Sequence, residues 1–318
     1  MSAKFDDLLS ALLDAARPLP IQRLSELSDL DAEQLRLLRS IWNQMPDDRR
    51  LALIEELGKL GDDRFEYTYE RINRSAMDDP QPEVRALAIR NLWECEDPGL
   101  VGPLLAALAQ DPSAEVRAAA GSALGAFLFL GETDSLPDEL LHRLEEGLLA
   151  AAASDNDEDV RRLSFESLGY SSREEVPPLI EKAYASTDEA WKRSSLIAMG
   201  RSVNSVWAPN VMRELTSAVP LLRLEAARAA GELDLQEAVP FLIDLLEDVS
   251  DDIRHAAIWS LGQLGGEAAQ ASLLRLIDHS DDDQEVELLE DALGNLAFVD
   301  STRDFIVLDL DDSEDDNN

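Results

Sequence analysis

The chain repeats one fifteen-residue motif, with small changes, along most of its length. The motif reads "DPSAEVRAAAGSALG" from Asp111, and close copies begin at Asp79, Asp155 and Asp248. When the copies are aligned on their final glycine or its equivalent, a basic residue lies eight positions earlier, and successive copies are 35, 32, 44, 31, 31 and 31 residues apart. A period of about 20 to 50 residues is typical of a solenoid, in which each unit stacks on its neighbours.

Each copy has the apolar pattern of an amphipathic helix. In "EVRAAAGSALG" the residues Val116, Ala120, Ala123 and Leu124 fall at i, i+4, i+7 and i+8, which is one stripe of a helix. An Asp-rich turn before the stripe supplies a helix N-cap, and a second apolar run follows the glycine. Strand patterns are nearly absent. The sequence therefore predicts an all-α chain of helical hairpins, none of which can bury its stripe alone.

The pattern D-x-x-x-x-V-R-x-x-A-x-x-A-L-G, followed by an apolar helix, resembles HEAT repeats of the short bacterial type named after phycobilisome lyases. The resemblance covers about residues 45 to 298 and implies a right-handed α-solenoid of about eight HEAT-like helical hairpins. The aligned basic residues and glycine equivalents are Arg50 and Gly58, Arg85 and Trp93, Arg117 and Gly125, Arg161 and Gly169, Lys192 and Gly200, Arg223 and Gly231, and Arg254 and Gly262. An eighth copy, ending at Gly294, has lost its basic residue.

The resemblance also implies a structural role for the repeated charges. In this family the Asp and Arg positions of the motif form a ladder along the stack. The ladder residues expected on that basis are Asp79, Arg85, Asp111, Arg117, Asp155, Arg161, Arg223, Asp248 and Arg254.

Two flanking segments lack the motif. Residues 1–44 have helical spacing but no repeat, which predicts an N-terminal helical cap before a solenoid over residues 45–298. Residues 299–318 form a C-terminal segment, whose acidic tail from Asp309 is too polar to pack and is expected to be disordered. The preceding "DFIVL" fits a short strand, a cap or a docking segment. The long gap between the third and fourth copies predicts a lengthened loop around Gly131–Pro137 and a long helix after it.

Charge and composition argue against several functional classes. The chain has 28 Lys and Arg against 66 Asp and Glu, a net charge of −38. Such a chain repels nucleic acids and anionic membranes and attracts basic partners at low salt, although acidic surfaces also suit concentrated salt. No apolar run reaches the roughly 18 residues of a membrane span, and the N-terminus is a poor secretory signal. We therefore expect a cytoplasmic protein that binds neither nucleic acid nor membrane.

The sequence contains no recognisable catalytic or cofactor motif. A single cysteine, Cys95, rules out an intrachain disulfide and a cysteine-based zinc site. The histidines are His142, His255 and His279, and none precedes Glu as in the di-iron deoxyhypusine hydroxylases, a related HEAT-repeat family. Phosphate-binding glycine loops and the serine elbow motif are missing, and the acidic run 281–287 lacks the spacing of a calcium loop. We expect no cofactor and no metal.

The helix face opposite the apolar stripe is the candidate binding surface. Positions 2, 6 and 9 after the motif valine point away from the stripe at 100° per residue and would line the concave side of a HEAT-like stack. They are rich in Arg and aromatic groups but also include Ala86, Ala118, Glu166 and Leu224. The residues selected for binding an acidic or amphipathic protein segment, the chain's own tail included, are Arg90, Trp93, Arg162, Arg193, Arg228, His255 and Trp259. The competing interpretation is that these side chains only pair with nearby carboxylates and pack against helices.

Three functions remain at this stage. The first is a non-catalytic scaffold or adaptor that binds another protein on the concave face. The alternative is a phycobilin lyase-like chromophore-attachment or chaperone subunit, which would pair with a second repeat protein and bind a linear tetrapyrrole. The third is nucleic-acid binding along the Arg row, which the net charge opposes. Neither the partner's identity nor the oligomeric state follows from the sequence.

Overall fold

The structure is a computed structural model that describes residues 3–64, 66–280 and 282–315, and the side chains of these residues except 3 and 303–315. Within this part of the chain there are seventeen α-helices, four short 3-10 turns and no β-strand. The prediction of an all-α protein is confirmed. The helices fall into two compact units, unit 1 up to Leu168 and unit 2 from Gly169.

Unit 1 holds the first nine helices. Their bounds are α1 Ala3–Leu13, α2 Ala32–Trp42, α3 Asp47–Asp63, α4 Glu70–Ala76, α5 Pro82–Arg90, α6 Val101–Gln110, α7 Ala114–Glu132, α8 Asp138–Ser154 and α9 Glu158–Leu168. The helices α4, α6 and α8 each pack on the next helix in the chain, and α3, α5, α7 and α9, which carry the motif, pack on one another in series. This arrangement is a stack of hairpins.

The residues before the first repeat share a core with it. Leu8 and Leu12 of α1 and Leu38 of α2 are buried in the same apolar cluster as Leu53 of α3 and Ile72 of α4. Because this cluster is continuous, the N-terminal helices cover the apolar side of the first hairpins. The division at residue 44 into cap and solenoid stays a prediction.

Unit 2 repeats the arrangement. Its helices are α10 Val176–Tyr184, α11 Glu189–Arg201, α12 Ala208–Glu214, α13 Pro220–Glu232, α14 Val239–Leu245, α15 Asp251–Leu264, α16 Glu267–Ile277 and α17 Asp283–Asp315. Each of α10, α12, α14 and α16 packs on its successor, and α11, α13, α15 and α17 pack in series. Counting both units, eight motif-bearing helices are present among the described residues, and the predicted α-solenoid fold is confirmed.

Two helices are longer than the motif predicts. Helix α7 does not end near Gly125 but continues to Glu132, because Phe127 and Leu128 are buried and extend its apolar side. The loop predicted around Gly131–Pro137 is correspondingly shorter, lying between α7 and α8. The second long helix is α17, which includes "DFIVL" and the acidic segment as far as Asp315, where disorder was expected. Extending an existing helix avoids the cost of nucleation.

One described helix, α7, is long and apolar enough to cross a membrane by length and composition alone. Of its most apolar window, 56% is buried inside the structure. The core helix of a soluble protein passes the same test, so the finding is weak evidence for a membrane span.

Candidate functional site

The ladder arginines of unit 1 connect one repeat to the next. Arg85 on α5 donates from Nε and Nη2 to the two carboxylate oxygens of Asp111 at 2.9 and 2.8 Å. Arg117 on α7 binds Asp155 in the same way at 2.8 and 2.9 Å. The remaining nitrogen, Nη1, donates to the carbonyl six residues earlier, at Asp79 for Arg85 and at Asp111 for Arg117. Each guanidinium therefore ties its own turn to the turn of the following repeat through a bidentate pair.

We call each Arg–Asp pair between repeats a rung. The aspartates of these rungs also hold the turn that precedes the next helix. The Oδ1 atom of Asp111 accepts the backbone N–H of Ser113 at 2.9 Å, and that of Asp155 accepts the N–H of Asp157 at 2.8 Å. The hydrogen bond from Arg117 lowers the pKa of Asp155. For Asp111, burial opposes ionisation, yet the hydrogen bonds from Arg85 and Ser113 outweigh it and the pKa is again lowered.

The first rung is the most enclosed. Arg50 on α3 donates to Asp79 from Nε at 2.7 Å and from Nη2 at 3.2 Å, and the two side chains are 3% and 0% exposed. Asp79 also accepts the indole N–H of Trp42 at 2.6 Å and the backbone N–H of Gln81 at 2.8 Å. This carboxylate is consequently satisfied from three directions inside the protein.

Unit 2 has a more varied ladder. Arg223 contacts Asp248 from Nε at 2.9 Å and from Nη2 at 2.8 Å, but both contacts are to Oδ2, unlike the pairs of unit 1, which use both carboxylate oxygens. Lys192 instead pairs with Glu214 at 2.7 Å, and that carboxylate also accepts the hydroxyl of Tyr184 at 2.8 Å. These contacts tie Lys192 to the hairpin that follows it.

The outer positions of the ladder use local partners. Arg254 pairs with Asp251 on its own helix at 2.8 Å and lies 3.7 Å from Glu285 of α17, the copy that lost its basic residue. Arg161, at the end of unit 1, donates to the carbonyl of Asp155 at 2.8 Å and lies 4.0 Å from Glu158 of the same helix. The same motif position therefore supports rungs of different strength.

A second set of rungs was missed at the level of sequence. Short polar side chains on motif helices donate to a main-chain carbonyl of the preceding motif helix. The donors and acceptors are Asn91 to Ile54, Ser167 to Gly121, Ser260 to Ala227 and Asn295 to Gly262, at 2.7–3.1 Å. Three of these donors stand two residues before the motif's last position, which is the signal that could have revealed them.

The repeated glycine allows neighbouring helices to approach closely. A Cβ atom at Gly125 would lie 2.8 Å from the hydroxyl of Ser167, and one at Gly262 would lie 2.9 Å from the carbonyl of Ala292. Because real Cβ contacts are not that short, a side chain at these positions would push the next repeat away. The motif thus keeps its glycine where two repeats touch.

The binding residues predicted in unit 1 have carboxylate partners. Arg90 pairs with Glu115 at 3.0 Å on an exposed surface. Arg162 is mostly buried and pairs with Asp159 at 2.7 Å and Glu166 at 3.0 Å. Trp93, in the turn after α5, is 61% exposed and its indole N–H points to Asp62 at 3.4 Å.

In unit 2 the predicted residues lie on three motif-bearing helices, α11, α13 and α15. Arg193 of α11 and Arg228 of α13 both bind the buried carboxylate of Glu225, at 2.7 and 3.4 Å. The ring of Trp259 on α15 covers Gly231, one turn after Arg228, and a Cβ there would lie 2.8 Å from the ring. His255 is exposed one turn before Trp259. We call Arg193, Arg228, His255 and Trp259 the arginine–tryptophan patch.

The predicted exposed face is narrower in the structure than the helical wheel indicates. Four residues at its positions are buried: Ala86, Ala118, Glu166 and Leu224. Helices α5, α7, α13 and α15 each pack against the motif helices before and after them in the same unit and against their hairpin partners. The buried arc is therefore wider than one stripe, and a prediction that all three positions face outward is wrong.

One carboxyl near the patch has an unusual environment. The carboxylate of Glu232 occupies the space that a Cβ at Gly200 would take, so it lies against the backbone of α11 although the residue as a whole is exposed. Burial, reinforced by the charge of Glu225 and opposed by Arg201 and Arg228, raises the pKa of Glu232 to about 7. The Glu232 carboxyl is therefore expected to become protonated as the pH falls through about 7.

The three histidines do not converge. His142 lies on α8, His255 on α15 and His279 just after α16, and all three are exposed. Among the residues that the structure describes, no group of three or more His, Cys, Asp and Glu side chains could hold a metal ion.

Comparison with known proteins agrees with this architecture. A model of the family described as HEAT repeats matches residues 73–147 and 208–294, together just over half of the chain. No curated protein sequence matches significantly.

Solved structures with a similar arrangement include human deoxyhypusine hydroxylase, with 20% identity over 93% of this chain and 96% of that one and a TM-score of 0.38. The complex of CpcE and CpcF of phycocyanin lyase from Nostoc sp. has 17% identity over 71% and 94%, with a TM-score of 0.47. YibA of Escherichia coli has 20% identity over 88% and 98%, with a TM-score of 0.41. At these levels the likeness extends to the fold alone. The repeated rungs, the hairpin stacks and the match over half of its length make the chain a member of the HEAT-repeat family.

Proposed function

We propose that this helical repeat protein is a non-catalytic scaffold that holds a segment of a partner protein on the arginine–tryptophan patch of unit 2. The observation that carries the proposal is the sharing of one carboxylate, Glu225, by two guanidinium groups, Arg193 and Arg228. The Arg228 side chain is 50% exposed. Glu225 can neutralise only one of the two guanidinium groups, and the nearby Glu232, whose pKa is raised to about 7, is only partly ionised near neutral pH, so the patch keeps part of its positive charge on a chain whose net charge is −38.

The chemistry of the patch favours an acidic or amphipathic segment. A guanidinium offers its planar fork of N–H donors to a carboxylate, and Arg228 has donors left over after its single contact with Glu225. Trp259 adds an exposed apolar surface beside it. Arg and Trp are both enriched among residues that dominate binding energy. A partner carrying Asp or Glu next to an apolar side chain would satisfy both groups.

The proposal is tested by affinity capture with crosslinking and mass spectrometry at two salt concentrations. Trp259→Ala and Arg228→Ala should each weaken capture of the identified partner by about tenfold or more, the loss expected for a binding hot spot. Phe241→Ala and Arg213→Ala are matched controls, because they remove an exposed aromatic and an exposed arginine on other helices of unit 2.

Capture that is unchanged in Trp259→Ala and Arg228→Ala would contradict the proposal, as would equal losses in the two controls. All four variants should unfold at nearly the wild-type temperature. A non-catalytic scaffold is also expected to be colourless and to leave the spectrum of an added linear tetrapyrrole unchanged, which separates it from a lyase-like chromophore-attachment subunit.

A further inference from the structure

A small cleft in unit 1 combines aromatic rings and carboxylates outside the patch. It lies between the end of α3, the start of α4 and the turn after α5, and its volume is about 190 Å³. Pockets for whole small molecules are larger, about 300 to 1,000 Å³. The cleft therefore fits the end of one side chain better than a cofactor.

Three aromatic side chains line the cleft: Tyr67, Tyr69 and Trp93. The two tyrosine rings have their centroids 6.4 Å apart and are tilted by 47°. Trp93 is 61% exposed, and its indole N–H is directed at Asp62. The faces of aromatic rings attract cations, most strongly in Trp.

The charged residues of the cleft are all acidic. Asp62, Glu70 and Glu94 line it, and none of the described lining residues is Lys or Arg. Glu70 already pairs with Arg74 at 2.8 Å. Asp62 and Glu94 are exposed carboxylates beside the aromatic rings.

The arginines closest in sequence to the cleft have other partners. Arg64 lies 3.7 Å from Glu66, and Arg71 donates to the carbonyl of Leu30 at 2.6 Å. Arg74 donates to Asp97 at 2.6 Å and to the sulfur of Cys95 at 3.3 Å. Arg64 and Arg71 are thus engaged by residues outside the cleft, whereas Arg74 lies at its edge and occupies Glu70 and Cys95, so Asp62 and Glu94 are the carboxylates left for a ligand.

Tyr69, one of the residues that line the cleft, has a buried hydroxyl without a hydrogen-bond partner in the part of the chain that the structure describes. Tyr69 is 5% exposed, and among the described residues its hydroxyl makes no hydrogen bond. Burial raises the pKa of Tyr69 to about 12, so the phenol is neutral at physiological pH. An unpaired buried hydroxyl is unfavourable, and a bound hydrogen-bond donor would relieve this cost.

We propose that this cleft binds the positively charged end of an arginine or lysine side chain presented by a partner protein. The cation would stack against Trp93 and face Asp62 and Glu94, and a small displacement of the lining side chains would let it donate a hydrogen bond to the buried Tyr69 hydroxyl. This surface is separate from the arginine–tryptophan patch and prefers the opposite charge, so the inference does not rest on the function proposed above. The charge of the whole chain, −38, also steers basic partners toward it.

The test uses two tripeptides, acetyl-Gly-Arg-Gly-amide and its citrulline counterpart, which has nearly the same shape but no charge. The protein carries 5-fluorotryptophan, and Trp93→Phe identifies the ¹⁹F signal of residue 93. We expect the arginine peptide to shift that signal saturably and the citrulline peptide to leave it in place.

Variants distinguish specific binding in the cleft from general electrostatic attraction to an acidic protein. Asp62→Asn and Tyr69→Phe should each weaken arginine-peptide binding by about fivefold, whereas Glu83→Gln, which removes an exposed charge elsewhere in unit 1, should change it by less than about twofold. Tyr69→Phe is expected to fold normally, because it deletes an unsatisfied hydroxyl.

Three results would overturn the inference: no shift of the Trp93 signal, an equal shift with the citrulline peptide, or equal weakening by Glu83→Gln and Asp62→Asn. Trp259→Ala and Arg228→Ala should leave this binding unchanged. The proposal for the cleft and the proposal for the arginine–tryptophan patch can therefore be contradicted independently of each other.

Discussion

The rung at the start of unit 1 and the rung at the end of unit 2 occupy the same motif position but differ in environment. Arg50 and Asp79 are enclosed, with 3% and 0% of their side chains exposed. Arg254 pairs with Asp251, which is 74% exposed, and lies 3.7 Å from Glu285. The comparison teaches that the motif determines which residues can pair, whereas the surrounding helices determine what the pairing contributes to stability.

Burial changes the consequence of losing one partner. A solvent-exposed ion pair contributes about 0 to 1 kcal/mol, because water and salt screen it. Removing one member of a buried pair leaves an uncompensated charge and costs about 3 to 5 kcal/mol. The two rungs should therefore respond very differently to the same substitution.

The largest effect is expected for Asp79→Ala. This change removes the buried carboxylate from the indole N–H of Trp42 and from Arg50, whose remaining acidic partner Asp47 is 62% exposed, so the free energy of unfolding should fall by about 3 kcal/mol. The matched change Asp251→Ala should cost about 1 kcal/mol or less. Urea denaturation of both variants measures the difference, and equal losses would remove the distinction between the two rungs.

An intermediate effect is expected where the glycines differ in their surroundings. Gly262 of α15 faces the backbone of Ala292, whereas Gly294 of α17 has open space around it. Gly262→Ala should destabilise the protein by about 1 to 3 kcal/mol through overpacking. Gly294→Ala should stabilise it by about 0.5 to 1 kcal/mol through helix propensity.

Thermal or urea unfolding of the two alanine variants tests this contrast. Destabilisation by Gly294→Ala, or no effect of Gly262→Ala, would show that close approach of successive helices is not what the motif glycine provides.

The smallest effect concerns pH, where the two units should respond in opposite directions. The pKa of Asp155 in unit 1 is lowered by Arg117, so its ionised form stabilises the fold above about pH 3.9 and this contribution is lost as pH falls through the folded pKa. The pKa of Glu232 in unit 2 is raised from 4.5 to about 7, so ionisation opposes folding and stability falls as pH rises between those values.

Glu232→Gln isolates the response of unit 2. The variant should be more stable than the wild type at pH 8 by about 1 kcal/mol, a modest gain because part of the side chain is solvated, and should match it at pH 5. Urea midpoints at the two pH values measure this. A variant that is equally stable at pH 8, or less stable there, would show that the Glu232 carboxylate is not held in an unfavourable environment.

The fold was predictable because the repeated motif combines several independent signals. Val116 and its apolar companions indicate a helix, the Asp before them indicates a turn, and the spacing indicates stacking. The basic residue and the aspartate could be aligned across copies, so their mutual contacts could be anticipated from the family resemblance.

The site was harder to predict, because exposure depends on neighbours that one helix does not reveal. Ala86 and Leu224 were placed on the solvent-exposed concave face by helical periodicity, yet they are buried in the structure. The second rungs, such as Ser260 to the carbonyl of Ala227, use residues that are common on helix surfaces. The acidic cleft combines Tyr69 from a turn outside the motif with Trp93 from within it, so no periodic pattern indicates it.

The most direct test is a double-mutant cycle on the pair Arg117–Asp155. Each repeat is expected to be stabilised by its contacts with the next, and this pair joins two repeats. From urea denaturation of Arg117→Ala, Asp155→Ala and the double variant, we expect a coupling free energy of about 1 to 3 kcal/mol. The control pair Arg117→Ala and Asp14→Ala, which shares no hydrogen-bond partner, should be additive within about 0.5 kcal/mol. A coupling no larger than that of the control would contradict stacking through inter-repeat rungs.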